Sequence, residues 1–357
     1  MRIVPVVSLP NESKVKIHLD SGQSIELWLQ ASVEVSRSLD CWLFLMLPIC
    51  MALGEDLEIE GTIAASALVS FHNSQRELLL EHPNLNQISI KHQALSDAYL
   101  PSASRVGSFF SGGLDSTYTA ETEPEIDTFV IVWGFDIPHT NEKHWKLTSD
   151  LIATQASQMG KEQILVKTNI RDLSNGILQW GRDYHGTALA GVANLLSNHL
   201  KKVHISPSHS VETKRWGQFP SLAKAFSTDY QQLEEHRGLV RSEKAAAVGN
   251  KPRSVNIRVC YRNVSGTVNC GTCIKCVRTR LEFDLVKAKH RPVGLDAKAS
   301  FTELLKVKYE RNDYLFFLDS INWARNNGFK QTLIPRIAAG LARLNSVRFY
   351  GHIKPPE

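Results

Sequence analysis

No apolar run in this chain reaches the roughly 20 residues that a membrane-crossing helix needs. The most tempting, CWLFLMLPICMALG from Cys41, is too short and contains Pro48. The opening residues, MRIVPVVSLPNES, lack the basic start and long apolar core of a secretory signal. Neither sign of charge dominates. Against 41 Lys and Arg stand 36 Asp and Glu, and a net +5 is weak support for a polyanionic partner. Repeats, low-complexity tracts, an HExxH motif and a Ser-His-Asp signature are all missing. These absences lead us to expect a cytoplasmic protein with no membrane partner. At 357 residues it is long enough for two domains, or for one with substantial additions.

Cysteine is also scarce over most of the length. Cys41 and Cys50 lie in the apolar stretch and read as buried small hydrophobes. The other four, Cys260, Cys270, Cys273 and Cys276, fall within seventeen residues as C-x9-C-x2-C-x2-C. In a chain without a secretory signal this density points to metal rather than disulfides. Thiolates in C-x2-C steps can wrap a tetrahedral Zn²⁺, with a distant fourth closing the site. An iron–sulfur cluster suits four cysteines equally.

Along the chain, four regions are expected. Residues 1–100 read as an α+β module. KVKIHLD and SIELWLQ form a hairpin around SGQ, a helix follows from about Ser38 to Ala52, LEIEG is a strand, and the helical IAASALVSFHNSQRELLLEH comes next. Residues 104–255 change rhythm. VGSFF, TFVIVWG, EQILVKTN and KVHISPS are short β-rich runs, and helical segments separate the later ones. This alternation predicts an α/β fold, a doubly wound parallel sheet with helices on both faces. Ligands of such sheets bind beyond the carboxyl ends of the strands, here SGGLDS, GFDIPHT, TNIRD and SPSHS. Residues 256–290 hold the cysteines as a zinc-binding segment, and 291–357 form a helical tail.

The segment FFSGGLDSTYTA, Phe109 to Ala120, places two glycines and two serines around one aspartate directly after a strand. Gly112 and Gly113 let the backbone turn tightly and bring its N–H groups to an anion. The following helix points its positive end at the same spot. Ser111, Ser116 and Thr117 add hydroxyls. Two glycines and a capping Asp or Ser also make an ordinary turn. No lysine follows the glycines, so this is not the GxxxxGK[ST] loop.

The string Ser-Gly-Gly-Leu-Asp-Ser after a strand resembles the PP-loop of the N-type ATP pyrophosphatases. The resemblance implies an adenine nucleotide α-hydrolase-like fold that binds ATP with Mg²⁺. It implies attachment of AMP to a substrate oxygen, release of pyrophosphate, and displacement of AMP by a nucleophile. Ser111, Gly112, Gly113, Leu114, Asp115 and Ser116 would hold the phosphates. The end of the second strand, Val132, Trp133, Gly134 and Phe135, would approach the adenine, with Asp136 near the ribose or metal. Trp133 and Phe135 read equally as core aromatics.

Within that family the cysteine spacing is similar to that of the 7-cyano-7-deazaguanine synthases, which carry a zinc knuckle. The likeness covers roughly 104 to 285 and runs on past Cys276 from Arg278. It implies a C–N ligase forming an amide or nitrile with ammonia, acting on a small deazapurine-like acceptor. The loop SPSHSVETKRWGQFPSLAKAFSTDY departs from the synthases, as do the regions at either end. These departures suggest a wider group of synthase-like proteins, some of them in bacterial anti-phage defence. A protein acceptor and a partner encoded in the same operon are then expected.

Further candidates follow from position. His185 opens a helix and can touch ATP or acceptor, or merely start the helix. Ser206, Ser208 and His209 fall where the last strand ends, over the phosphate loop. Arg241 and Lys244, in LVRSEK, share one helix face and are expected to act with Asp115 and Ser116 in catalysis by neutralising phosphate charge; a solvated basic face is the alternative. Trp216, Phe219 and Pro220 form a lid or pack a loop. Two other functions stay open. One is an RNA- or tRNA-modifying sulfurtransferase with nucleic acid as partner. The other is a non-catalytic nucleotide-binding subunit of a defence complex.

Overall fold

The computed structural model describes residues 1–96, 103–207, 217, 219–235, 239–309, 313–329 and 332–350, with side chains described up to 344. Its strands are β1 (Arg2–Val6), β2 (Glu12–His18), β3 (Ser24–Ala31), β4 (Leu57–Ala64), β5 (Ile90–Ser96), β6 (Arg105–Phe109), β7 (Thr128–Trp133), β8 (Glu162–Thr168), β9 (Leu200–Ile205) and β10 (Gln232–Glu235). Its α-helices are α1 (Asp40–Leu53), α2 (Ala65–Glu81), α3 (Leu114–Thr122), α4 (Glu142–Met159), α5 (Arg171–Ser174), α6 (His185–Leu195), α7 (Pro220–Ala225), α8 (Arg241–Val248), α9 (Ile274–Leu285), α10 (Phe301–Lys306), α11 (Asp313–Asn326) and α12 (Leu333–Tyr350).

The strands form one ten-stranded sheet in the order β10-β9-β6-β7-β8-β3-β2-β1-β4-β5. Most neighbours are parallel; the pairs β1–β2, β2–β3 and β3–β8 are antiparallel. The expected α/β class is therefore observed, with helices on both faces of β6–β8. One face packs α1, α6 and α7 in a core that includes Phe44, Leu45, Ala190 and Phe226. The other packs α3 and α4 through Ala120, Ile152 and Ala156 against Phe110, Phe129 and Ile131.

Residues 1–96 and the strands from β6 onward share this sheet. Leu29, Gln30 and Ala31 of β3 register with Thr168, Lys167 and Val166 of β8. Asn169 completes the junction. Its side-chain oxygen accepts from Trp28 N at 2.9 Å, and its amide donates to Glu26 O at 3.0 Å. Helix α1 is buried along nearly its whole length, because α2 and α6 cover what the sheet does not. Cys41 and Cys50 sit inside it, and burial pushes the Cys50 thiol up to about 12.

The topology fixes where a ligand belongs. From β6 the chain runs through β7 to β8 on one side, then returns to place β9 on the other side of β6. The switch point is the crevice between the carboxyl ends of β6 and β9, where the flanking loops diverge. SGGLDS leaves β6 there, and Ser206 and Pro207 leave β9 there.

Candidate functional site

Strand β6 ends at Phe109, and Gly112 turns the chain with φ +71°, a region that favours glycine. Helix α3 starts immediately after, so the N–H groups of its first turn face the crevice. Ser111 and Ser116 brace the turn from inside. Ser111 Oγ accepts from Gly113 N at 3.3 Å, and Ser116 Oγ donates to Gly113 O at 3.2 Å.

Asp115 is the hub of the charged groups. Arg241 Nη1 donates to Asp115 Oδ2, and Lys244 Nζ donates to Asp115 Oδ1 at 2.8 Å. Both cations come from α8, three residues apart and so on one face of the helix. They are buried, 8% and 2% exposed, so a solvated basic face is excluded. Lys244 also donates to Pro207 O at 2.5 Å, which links α8 to the end of β9. Arg241 is fully committed: Nε bonds both oxygens of Glu282 at 3.1 and 3.2 Å, and Nη2 bonds Thr279 Oγ1 at 3.1 Å. Burial alone would raise the Asp115 pKa, but the charges of Arg241 and Lys244 outweigh it and hold the carboxyl well below the usual carboxylate range. Glu282 shifts the other way because its burial dominates.

The cysteines converge as their spacing predicts. Their four sulfurs lie within 4.8 Å of one another and form a possible metal site. Cys270 and Cys276 sulfurs are 4.0 Å apart, and those of Cys260 and Cys273 are 3.9 Å apart. Cys273 caps α9 and Cys276 lies in its first turn, so the helix start presents two of the four ligands. Asn269 holds the surrounding loop, accepting from Val259 N and donating to the carbonyls of Ile257 and Val293, each at 2.9 Å. The cysteine segment docks on the phosphate loop. Arg258 N, two residues before Cys260, donates to Gly112 O at 2.8 Å.

The end of β7 is the second expected contact region. Gly134 has φ +112°, and a Cβ there would lie 1.9 Å from Thr168 O, so only glycine lets the backbone after β7 come this close to the end of β8. Trp133 packs parallel to Trp145 with centroids 5.2 Å apart. Lys167 Nζ sits 3.9 Å from its ring centroid, and its Nε1 donates to Pro138 O at 2.8 Å. Phe135 is buried edge-on against Trp180. His185 stands beside that same Trp180, 5.6 Å between centroids.

Asp136 lies exposed just beyond the end of β7. Trp180 Nε1 donates to its Oδ1 at 3.3 Å, and Asn263 donates to its carbonyl at 2.7 Å. Desolvation would raise its pKa, but Lys275, His185 and Arg258 outweigh it and the carboxyl is lowered. Phe219 is core packing for α7 rather than lid, and Pro220 is the first residue of that helix. Ser206 follows β9 at the crevice as expected, whereas Ser208, His209 and Trp216 lie outside the described residues.

Three buried side chains near this cluster were not singled out as site candidates in the sequence. Arg278 is buried beside Glu282, and its guanidinium carbon lies 3.8 Å from the Phe316 ring centroid. Arg258 is buried with its Nε unpaired. His144 on α4 is buried with neither ring nitrogen bonded, and Arg258 and Cys260 are among the charges acting on it. The only cue was their nearness to the cysteines, or in the case of His144 a helix face shared with Thr148 and Ile152. No helix among the described residues is long and apolar enough to cross a membrane. Comparison with family models, with curated proteins and with solved structures finds no match.

Proposed function

We propose that the chain is an ATP pyrophosphatase of the PP-loop kind, most similar in design to the 7-cyano-7-deazaguanine synthases. The observation that carries this reading is the convergence at the β6/β9 switch point. A glycine turn, a helix start and two buried cations anchored on Asp115 meet there. A glycine turn at a helix start suits the phosphoryl oxygens of a nucleotide, which its backbone N–H groups can meet. Arg241 and Lys244 hold Asp115, and with it the start of the helix, in place.

In the proposed reaction an acceptor carboxylate or carbonyl oxygen attacks the α-phosphorus of ATP. A new P–O bond forms, the bond to the β-phosphate oxygen breaks, and pyrophosphate leaves with the electron pair. The acceptor carbon, now bonded to an AMP leaving group, is attacked by ammonia or an amine, and AMP departs. The Ser111–Ser116 loop positions the phosphates, while Lys244 and Arg241 act through Asp115. No protein nucleophile is required. Asp115 is occupied by two cations, so Mg²⁺ would accompany the phosphates rather than rely on this carboxylate.

The cysteine set fits zinc. Four thiolates at the Zn–S distance in a tetrahedron stand about 3.8 Å apart, and two measured pairs are 3.9 and 4.0 Å apart. In a four-iron cluster each thiolate binds a different iron, which spreads the sulfurs farther. Zinc here would order the segment that buttresses Gly112 through Arg258, a structural role at one remove from the chemistry. Thiols kept reduced for metal suit a cytoplasmic setting.

Sulfur transfer through a protein persulfide has little support. Four cysteines are grouped as metal ligands, and Cys41 and Cys50 are buried with their thiols pushed up. The acceptor is a small carboxylate or a protein group, and service in anti-phage defence rests on the family resemblance. The test is product analysis of Mg-ATP turnover with ammonium and candidate deazapurine carboxylates. AMP and pyrophosphate support the proposal; ADP with inorganic phosphate sinks it.

A further inference from the structure

Five arginine and lysine side chains are buried among the described residues: Arg241, Lys244, Arg258, Arg278 and Arg280. Four of them face a carboxylate. Arg241 and Lys244 share Asp115, Arg278 lies near Glu282 and Asp313, and Arg280 pairs with Glu303. Arg258, 5% exposed, makes no ion pair among the described residues. Its Nη2 spends one bond, at 3.0 Å, on a neutral partner, Asn263 Oδ1. Its Nε is buried with no partner at all. The cysteine sulfurs do not satisfy it, since their hydrogen bonds among these residues are with one another, with Thr272 and with Cys273 N. A buried cation with no counter-charge and unused donors is costly unless a ligand supplies what is missing.

Direct contacts fix its place. Arg258 N donates to Gly112 O at 2.8 Å, and Arg258 O lies 3.4 Å from where a Cβ on Gly113 would stand. Its backbone is thus packed against both glycines of the phosphate turn. The side chain runs toward β7. Asn263, which accepts from Arg258, donates to Asp136 O at 2.7 Å, just past the end of that strand. Strands β6 and β7 are parallel neighbours, with Phe109 opposite Val130, so their carboxyl ends are adjacent. The guanidinium therefore stands between the glycine turn and the end of β7, on the side of β6 away from β9.

We propose that Arg258 forms an anion subsite of its own, and that it holds the α-phosphoryl group of ATP and of the AMP formed from it. The inference rests on the ATP pyrophosphatase reading. In that reading the turn and the start of α3 take the pyrophosphate portion, and the base is expected at the end of β7. The α-phosphoryl group joins those two parts of the nucleotide, and Arg258 stands between their places. The planar fork of arginine presents paired donors to two phosphoryl oxygens. After pyrophosphate has left, the same cation keeps the adenylated acceptor in position for the amine. Arg258 itself makes and breaks no covalent bond.

The test is calorimetric titration of AMP, adenosine and inorganic pyrophosphate, each alone, into the full metal-loaded chain as wild type, Arg258→Gln and Arg258→Lys. Thermal melts and metal content establish that each variant is folded and keeps its cysteine site filled. Arg258→Gln is expected to bind AMP about tenfold more weakly or worse, with pyrophosphate and adenosine within about twofold of the wild type. Arg258→Lys is expected to fall in between for AMP. A merely structural arginine would weaken all three ligands alike, and that result overturns the subsite. Loss of metal from both variants assigns Arg258 to the cysteine segment and overturns it as well. Equal AMP affinity in the wild type and Arg258→Gln, or a wild type that binds pyrophosphate but not AMP, overturns the subsite and leaves the phosphate turn standing. A deazapurine carboxylate that loses affinity in Arg258→Gln where AMP does not gives the cation to the acceptor, against the proposal. No binding of AMP or pyrophosphate by the wild type overturns the ATP reading, and this inference with it.

Discussion

The ammonium of Lys244 stands 2.8 Å from Asp115 Oδ1 and donates to Pro207 O as well. One side chain therefore ties the helix that follows β6 to the end of β9, across the crevice where the topology reverses. Lys244→Met keeps the apolar stem and removes the charge. It leaves the Pro207 carbonyl short of its donor and Asp115 with one cation instead of two. Loss of one partner from a buried pair costs about 3 kcal/mol. The expected result is a lower denaturant midpoint together with weakened ATP binding. An unchanged midpoint would mean that Asp115 is sufficiently held by Arg241 alone.

Acid stability should follow Asp115 with a definite sign. Its folded pKa is depressed, because the Arg241 and Lys244 charges overcome the burial that opposes them. A depressed carboxylate stabilises the fold above its unfolded pKa, about 3.9, and that contribution is lost as pH falls toward the folded value. The stability gap between the wild type and Asp115→Asn is thus expected to be constant from neutral pH to about 5 and to shrink below about 4. Chemical denaturation across that range measures it. A gap that widens on acidification contradicts the ion-pair account.

Thiol chemistry should separate the six cysteines into two classes. The four clustered sulfurs are protected while metal is bound and become reactive when a chelator removes it. Cys41 and Cys50 are held inside α1, with thiols shifted up by burial. Titration with a thiol reagent should find none reactive in the metal-loaded protein, four after chelation and six after unfolding. The chelated protein is also expected to lose affinity for ATP, because Arg258 N supports Gly112 O from the same segment. Full reactivity before chelation would argue against a bound metal.

The joint between β3 and β8 offers a fourth check. Asn169→Ala removes the acceptor of Trp28 N and the donor to Glu26 O. A part-buried N–H left without a partner costs about 1–3 kcal/mol. Because the two sets of strands share one sheet, unfolding is expected to remain a single transition at a lower midpoint. Two separated transitions in the wild type would show that residues 1–96 melt on their own.

Local patterns were readable and long-range pairings were not. The hairpin of β2 and β3, the four runs that became β6 to β9, and SGGLDS at a strand end all follow from residue spacing within a dozen positions. Arg241 and Lys244 were legible as one helix face, and the cysteines as one cluster. Nothing local announced that β3 would pair with β8, since that register joins residues more than a hundred positions apart. Arg278 was invisible for a related reason. Its surroundings come from α8, α9 and α11, and only the fold brings them together. Trp133, read equally as an adenine contact and as a core aromatic, has Trp145 stacked on its ring and Lys167 over it, partners that its own segment did not announce.

The central claim is that the crevice between β6 and β9 binds the phosphates of ATP. Calorimetry of Mg-ATP binding to the metal-loaded wild type and to Lys244→Met tests it most directly. The account predicts saturable one-site binding by the wild type, weakened about tenfold or more in the variant. Absence of binding by the wild type, or equal affinity in the two proteins, would contradict it.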